Sequence, residues 1–231
     1  MKPLLEARAL TKHYQQGSVT VAAVENVSLA APGGEVTLLI GPSGSGKSTL
    51  LSMLGGILRP TSGAILLGGH EVGNLSDREL PPIRRRCFGF VFQSFNLFPF
   101  LTARENVETA LRLRKVPAPL RERRSAELLE YCNLAERMDF YPASLSDGEK
   151  QRVAIARALA GDPFILLADE PTARLDSASG EAILEMLRGF ARRRGKAVIM
   201  ASHDPKARSF ADQVYSLADG RIEALERIPQ K

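Results

Sequence analysis

The sequence predicts an α/β fold built on a mostly parallel sheet, and three observations predict it. Short, continuously apolar runs alternate with helical stretches, which is the pattern of strands buried on both faces. One such run, residues 36–40, leads directly into Gly41-Pro42-Ser43-Gly44-Ser45-Gly46-Lys47-Ser48. That segment fits the phosphate-loop pattern G-x-x-x-x-G-K-[ST] at every fixed position. Finally, several runs end on polar groups: the loop itself, Gln93, Asp169-Glu170 and Ser202-His203. In parallel sheets ligands sit at the carboxyl ends of the strands, so these groups converge on one candidate site.

Each element has its own signal. Residues 4–10 alternate as a strand, and 11–17 read as its end or a turn. Residues 19–29 contain a second strand, and Ala31-Pro32-Gly33-Gly34-Glu35 is a tight turn. The strand at 36–40 aims the loop, whose glycines let backbone N–H groups converge on a phosphate. A helix opens at Ser48-Thr49, and its positive end adds to the attraction for an anion. Lys47 is placed to reach the β- and γ-phosphates and Ser48 to hold Mg²⁺. A Gly/Ser-rich turn that binds nothing is disfavoured by the strand before it and the helix after it.

Arg59-Pro60-Thr61-Ser62-Gly63 stops that helix, and 64–69 form a strand and turn. Residues 74–86 read as a loop and a short helix, 88–93 as a strand ending on Gln93, and 94–101 as apolar but irregular. Thr102 and Glu105 have capping-box spacing. From 102 to 136 the chain reads helical, interrupted at Val116-Pro117-Ala118-Pro119. The run Arg121-Glu122-Arg123-Arg124 is a solvated face, and Leu128, Leu129 and Cys132 share a core side. Ser146 and Glu149 form a second capping box before a helix over 150–160. A strand at 164–168 ends on Asp169-Glu170, a helix covers 178–194, and a strand at 197–201 ends on Ser202-His203. Residues 214–217 and 221–225 flank Asp219-Gly220 as a hairpin.

The chain of 231 residues fits one large α/β domain, or a domain with a smaller subdomain. Hydrophobic content of 44% and charged content of 25% are those of a globular protein with a solvated surface. The net charge of +5 is modest for this length and does not call for nucleic acid. Glu6 and Arg8 interrupt the N-terminal apolar run, against a signal peptide, and no run is long enough to span a bilayer. Cys87 and Cys132 lack metal-type spacing and read as reduced and structural.

Chemistry follows from residue type and place. Asp169 ends an apolar run, where a carboxylate can hold Mg²⁺ through water. Glu170 is then free to polarise a water against the γ-phosphate. His203 is either a γ-phosphate contact or an ordinary histidine. Gln93 could reach the metal or the attacking water. Tyr14 is either a buried strand residue or a base-stacking one.

The segment Leu145-Ser146-Asp147-Gly148-Glu149, followed by Lys150-Gln151-Arg152-Val153-Ala154-Ile155-Ala156-Arg157, resembles the L-S-G-G-Q signature and helix of the ATP-binding-cassette (ABC) ATPases. The resemblance covers nearly the whole chain. It implies a P-loop NTPase cassette over 1–231, with a RecA-like parallel core, an N-terminal antiparallel β subdomain and a helical signature subdomain at about 94–160. The implied roles are Tyr14 for base stacking, Gln93 for the Q-loop, Asp169 for the Walker B aspartate, Glu170 for the catalytic base, Asp176 for the D-loop and His203 for the switch histidine. ATP and Mg²⁺ are the implied cofactors.

The implied partners are a second copy, whose Ser146 and Gly148 contact the first copy's ATP, and integral membrane permease subunits that hold the cassette on the cytoplasmic face of the membrane. Gly89-Phe90-Val91-Phe92-Gln93-Ser94-Phe95-Asn96-Leu97-Phe98-Pro99 resembles the lipoprotein-releasing and macrolide-export group, with cell-division cassettes as near relatives. A mechanical or regulatory ATPase without cargo is therefore the alternative. Phe95, Leu97, Phe98 and Phe100 suit either a groove for a membrane subunit's helix or burial in the domain. No N-K-x-D motif suggests a GTPase. Asp147 and Glu149 depart from the signature, and Arg174 is expected to offset some of the charge that Asp147 brings to the dimer interface.

Overall fold

The computed structural model describes residues 3–229. The chain forms two sheets. The first is antiparallel, in the order β2-β1-β4-β5, from β1 (Leu5–Gln16), β2 (Val19–Ala31), β4 (Ser62–Leu67) and β5 (His70–Glu71). The second has the order β10-β9-β3-β8-β7-β6, from β3 (Val36–Ile40), β6 (Phe88–Val91), β7 (Ile165–Asp169), β8 (Ala197–Ser202), β9 (Gln213–Ala218) and β10 (Arg221–Arg227). In it β9, β3, β8, β7 and β6 pair in parallel, and β10 returns antiparallel to β9 through the turn at Asp219-Gly220. The helices are α1 (Lys47–Leu54), α2 (Leu80–Cys87), α3 (Ala103–Leu113), α4 (Ala118–Tyr131), α5 (Asp147–Leu159) and α6 (Ser177–Arg194).

The period of two decides what each central strand does. Val36 and Leu38 of β3, Leu166 and Ala168 of β7, and Val198 and Met200 of β8 face one core, shared with α3, α5 and α6. Their neighbours Leu39, Ile165, Leu167, Ala197 and Ile199 face a second core, shared with α1 and the antiparallel sheet. Burial on both faces explains why these strands read as unbroken apolar runs. Each fully buried Leu or Ile stabilises the fold by roughly 1.5–3 kcal/mol.

β1 decides between two readings of residues 11–17. Residues 11–16 are strand and not a turn, because they continue the ladder with β2 from Lys12↔Val24 to Gln16↔Val19. The chain reverses only at Gly17, at φ 61°. The ladder is irregular, with register shifts between residues 7 and 13, which is why simple alternation faded there. α5 likewise starts at Asp147, not Lys150, because Ser146 caps it.

Polar side chains tie the sheets together. Gln213 Nε2 donates to Ala30 O (2.6 Å) in one sheet and to Thr37 Oγ1 (2.7 Å) in the other. The Ala30 N–H donates to the Tyr215 hydroxyl (3.1 Å). α3, α4 and α5 follow one another between β6 and β7 and pack on each other. Buried Asn106 of α3 holds the irregular stretch before it. Its Oδ1 accepts from Phe98 N–H (2.8 Å), and its Nδ2 donates to Phe98 O, Leu101 O and Thr102 O.

Candidate active site

The loop between β3 and α1 is made possible by close backbone packing. A Cβ on Gly41 would lie 2.1 Å from Leu217 O. Gly46 has φ +96°, and a Cβ there would lie 2.3 Å from Ala23 O. No side chain fits either place. A second turn supports the loop from outside: the Gly220 N–H donates to Ser45 O (3.2 Å), and the Glu25 N–H donates to Gly220 O (2.8 Å). Gly220 was legible as a hairpin turn but not as a neighbour of the loop, since the contact spans most of the chain.

Pro42, Ser43 and Gly44 are exposed, Ser45 is buried and Thr49 is half-buried. Lys47 is buried, and its ammonium donates to Gly41 O (2.8 Å) and Pro42 O (2.9 Å). A phosphate at the loop would take over as acceptor for these bonds. Ser48 Oγ donates to Asp169 Oδ1 (2.9 Å), which joins the start of α1 to the end of β7. Burial pushes the Asp169 carboxyl pKa up; the Ser48 bond opposes this, the Glu170 charge adds to it, and Lys47 opposes it.

Ser48 and Asp169 offer hard oxygen donors, the kind Mg²⁺ prefers. Among the described residues no group of three or more His, Cys, Asp and Glu could hold a metal by itself. These two donors therefore fit a cation whose other ligands come from water and phosphate.

Glu170 follows Asp169 with φ +48°, a conformation that strains a residue with a side chain and recurs at functional sites. Its N–H donates to Ala201 O (2.9 Å), which holds the turn. Its Oε2 accepts from the His203 N–H (3.4 Å) and lies 2.9 Å from His203 Nδ1. The parallel register Asp169↔Ala201 brings these residues together across 33 positions of sequence. Gln93 lies two residues beyond β6, whose Val91 pairs with Ala168, and is exposed at the same sheet end. Among the described residues its side chain has no hydrogen-bond partner there.

Tyr14 is 40% exposed on β1, so burial in a strand is ruled out and the ring is open to stacking. Lys12 Nζ lies 5.4 Å from its centroid and donates to Arg59 O (2.9 Å). The apolar stretch after Gln93 divides: Phe95 is buried and Leu97 partly buried, while Phe98 is 52% and Phe100 88% exposed.

A second constellation lies at two helix starts. Ser146 Oγ accepts from the Glu149 N–H (3.2 Å), and Glu149 Oε2 accepts from the Ser146 N–H (2.8 Å). Asp176 Oδ1 accepts from the Ser179 N–H (2.9 Å), and its Oδ2 from the Ser179 hydroxyl (2.7 Å). Gly148 is buried against that same Ser179, so the two helix starts support each other. Among the described residues, Ser146, Gly148 and Asp176 make no hydrogen bond to the loop at 41–48. The offset expected of Arg174 concerns the junction between two copies; within one chain the two residues have different neighbours. Asp147 pairs with Lys150 (2.9 Å), which helical i,i+3 spacing places beside it, and Arg174 lies 5.9 Å from the Phe95 ring.

Comparison with known proteins follows the same lines. The family profile described as ABC transporter matches residues 24–173. An uncharacterized ABC transporter ATP-binding protein of Thermotoga maritima is 48% identical over 98% of this chain and 97% of its own length. The macrolide export ATP-binding/permease protein MacB of Brucella melitensis is 43% identical over 95% of this chain but 34% of its own, so this chain spans about a third of that relative. Among solved structures, the dimeric post-hydrolysis state of an ATP-binding cassette from Methanocaldococcus jannaschii, bound to ADP and Pi, superposes with a TM-score of 0.92. It is 40% identical, over 98% of this chain and all of that one.

Proposed function

The chain belongs to the ABC transporter family, as an ATP-binding ATPase, and from that membership we propose how its residues divide the work. A single cassette spans 1–231, with residues at about 94–160 as its helical signature subdomain. Tyr14 stacks on the base. Gly41, Pro42, Ser43, Gly44, Ser45, Gly46 and Thr49 wrap the phosphates, all but Pro42 with backbone N–H groups, and Lys47 transfers its ammonium from the loop carbonyls to the β- and γ-phosphates. Ser48, with Asp169 through water and Gln93 beside them, holds Mg²⁺, which when bound neutralises developing phosphate charge.

Glu170 accepts a proton from the attacking water, whose oxygen bonds to the γ-phosphorus as the bond to the bridging oxygen breaks. His203 orients that carboxylate through its contact with Oε2. The observation that carries this assignment is the joining of Ser48, Asp169, Glu170 and His203 at the ends of β7 and β8. Replacing Glu170 with Gln keeps the volume and removes the base. Turnover should fall by about 100-fold or more, while ATP binding persists. Hydrolysis by Glu170→Gln at the parental rate would remove Glu170 from the role.

The working unit is proposed to be a dimer, in which Ser146 and Gly148 of each copy close over ATP held by the other and Asp176 lines the junction. This fits the absence, among the described residues, of any hydrogen bond between the two constellations within one chain. The membrane partner is proposed to be a permease, because the curated relative of this kind carries an ATP-binding and a permease part in one name. Among the described residues no helix is long and apolar enough to cross a membrane, so attachment to the cytoplasmic face would come through that subunit. A groove of about 330 Å³ lined by Phe88, Phe90, Phe92, Phe98 and Leu113 offers it an apolar seat. Co-purification from membranes should recover a permease, and Phe98→Ser should weaken the recovery.

A further inference from the structure

Resting on the dimer reading above, we propose that Arg137 and Lys150 are counter-cations that keep the start of α5 neutral, so that it can receive the phosphates of ATP held by a second copy. The start of a helix is partly positive and attracts anions. α5 carries two carboxylates in its first turn, Asp147 and Glu149, which oppose that attraction. Each is met by its own cation. Lys150 Nζ lies 2.9 Å from Asp147 Oδ1, along the same helix. Arg137 comes from a separate element, the 3₁₀ turn Ala135–Arg137, and its Nε lies 3.2 Å from Glu149 Oε1.

The Arg137 side chain is held from a second direction. Its guanidinium carbon lies 4.8 Å from the Phe140 ring centroid, within cation–π range. The other Glu149 oxygen is committed to the Ser146 N–H (2.8 Å). Both carboxylates and both cations are thus fixed at one helix start, and these four charges cancel, which leaves the Arg152 guanidinium, whose Nη1 lies 3.7 Å from where a Gly148 Cβ would be, unopposed by them. An exposed ion pair at helical spacing is ordinary and worth little on its own. Arg137 is different, because the chain brings it from outside the helix to the carboxylate nearest the capping serine.

The test uses ATP-driven dimerisation of Glu170→Gln protein, followed by light scattering. Adding Arg137→Met should raise the ATP concentration for half-dimerisation about tenfold at low ionic strength, and less at about 0.5 M salt, where screening is strong. Adding Glu149→Gln to that variant should return the requirement to within about twofold of the parent, since the carboxylate left bare is gone. Glu149→Gln alone should lower the requirement about threefold, whereas a merely structural ion pair would give a rise.

Arg137→Lys keeps the charge and should preserve the dimer, which separates charge from shape. Nucleotide binding to the monomer, read with a fluorescent ATP analogue, should not change in any of these. An unchanged requirement in Arg137→Met, a loss that persists after Glu149→Gln, or a rise in Glu149→Gln alone would overturn the assignment. If Glu170→Gln itself forms no dimer with ATP, the dimer reading fails instead, and that is visible before any second substitution is made.

Discussion

Asp169 is a carboxylate that the fold makes hard to ionise. Burial raises its pKa above the ordinary aspartate value, and the neighbouring Glu170 charge adds to the shift. The sign of the consequence is definite. Below the ordinary value the carboxyl is protonated in both folded and unfolded chains, and nothing is lost. As pH rises through the raised value, the folded state bears a charge it disfavours. Asp169→Asn keeps an acceptor for the Ser48 hydroxyl and removes that charge. Its melting temperature without nucleotide should exceed the parent's at neutral pH, on the order of 2 °C, and the difference should vanish in acid. Hydrolysis should be lost in the same variant. Tyr14 makes a simpler case. Its ring is largely open and its contact with Lys12 is at the surface, so Tyr14→Ala should change stability by less than about 1 kcal/mol and raise the dissociation constant for ATP about tenfold, as measured by equilibrium titration. The candidates in the phosphate loop and at Gln93, Asp169, Glu170 and His203 were legible because strand ends and the loop pattern mark them, whereas the roles of Tyr14, Ser146, Gly148 and Asp176 came from the family resemblance. What could not be read was contact: that Glu170 meets His203, that Lys150 pairs with Asp147 within the chain, or that Gly220 supports the loop.

At the scale of elements, short-range chemistry was the most legible. Both capping boxes form, at Thr102 with Glu105 and at Ser146 with Glu149, because their spacing is fixed within one turn. The buried strands were recognisable because both faces need apolar residues. The second half of β1 stayed open between strand end and turn because that polar half is held by a ladder with β2, and pairing leaves little trace in side-chain type. Asn106 shows the same limit. In the sequence it is one more polar residue on a helix, yet in the fold it satisfies one N–H and three carbonyls around residues 98–102. Asn106→Ala removes the side-chain partner of the Phe98 N–H and Leu101 O, while Phe98 O keeps the Leu101 N–H and Thr102 O keeps the Asn106 N–H. Unfolding in urea should show a loss of about 3 kcal/mol. α3 itself should persist, since its cap at Thr102 is separate.

At the scale of the molecule, the residues proposed for ATP come from both sheets. Tyr14 belongs to β1, the phosphate loop to the β3–α1 connection, and Asp169, Glu170 and His203 to the ends of β7 and β8. The sheets are joined where the ligand would be joined: Gln213 and Tyr215 bond across to Ala30, Ala23 O abuts Gly46, and the Glu25 N–H bonds to Gly220 O. None of these links could be predicted, because each pairs residues with no shared local pattern. They carry a consequence for stability. A ligand that grips both sheets binds only when both are formed, so its binding energy opposes unfolding of the whole domain. At a nucleotide concentration a hundred times the dissociation constant, that linkage is worth about 2.7 kcal/mol. For a domain of this size it corresponds to a rise in melting temperature of about 5–10 °C. ADP and ATP should both produce it, but they should differ in a second respect. In Glu170→Gln protein ATP also recruits a second copy, so the melting temperature should climb further as protein concentration is raised. With ADP it should not depend on protein concentration. Calorimetry over a range of protein concentrations separates the two, and an ATP effect independent of protein concentration would mean that each site is complete within one chain.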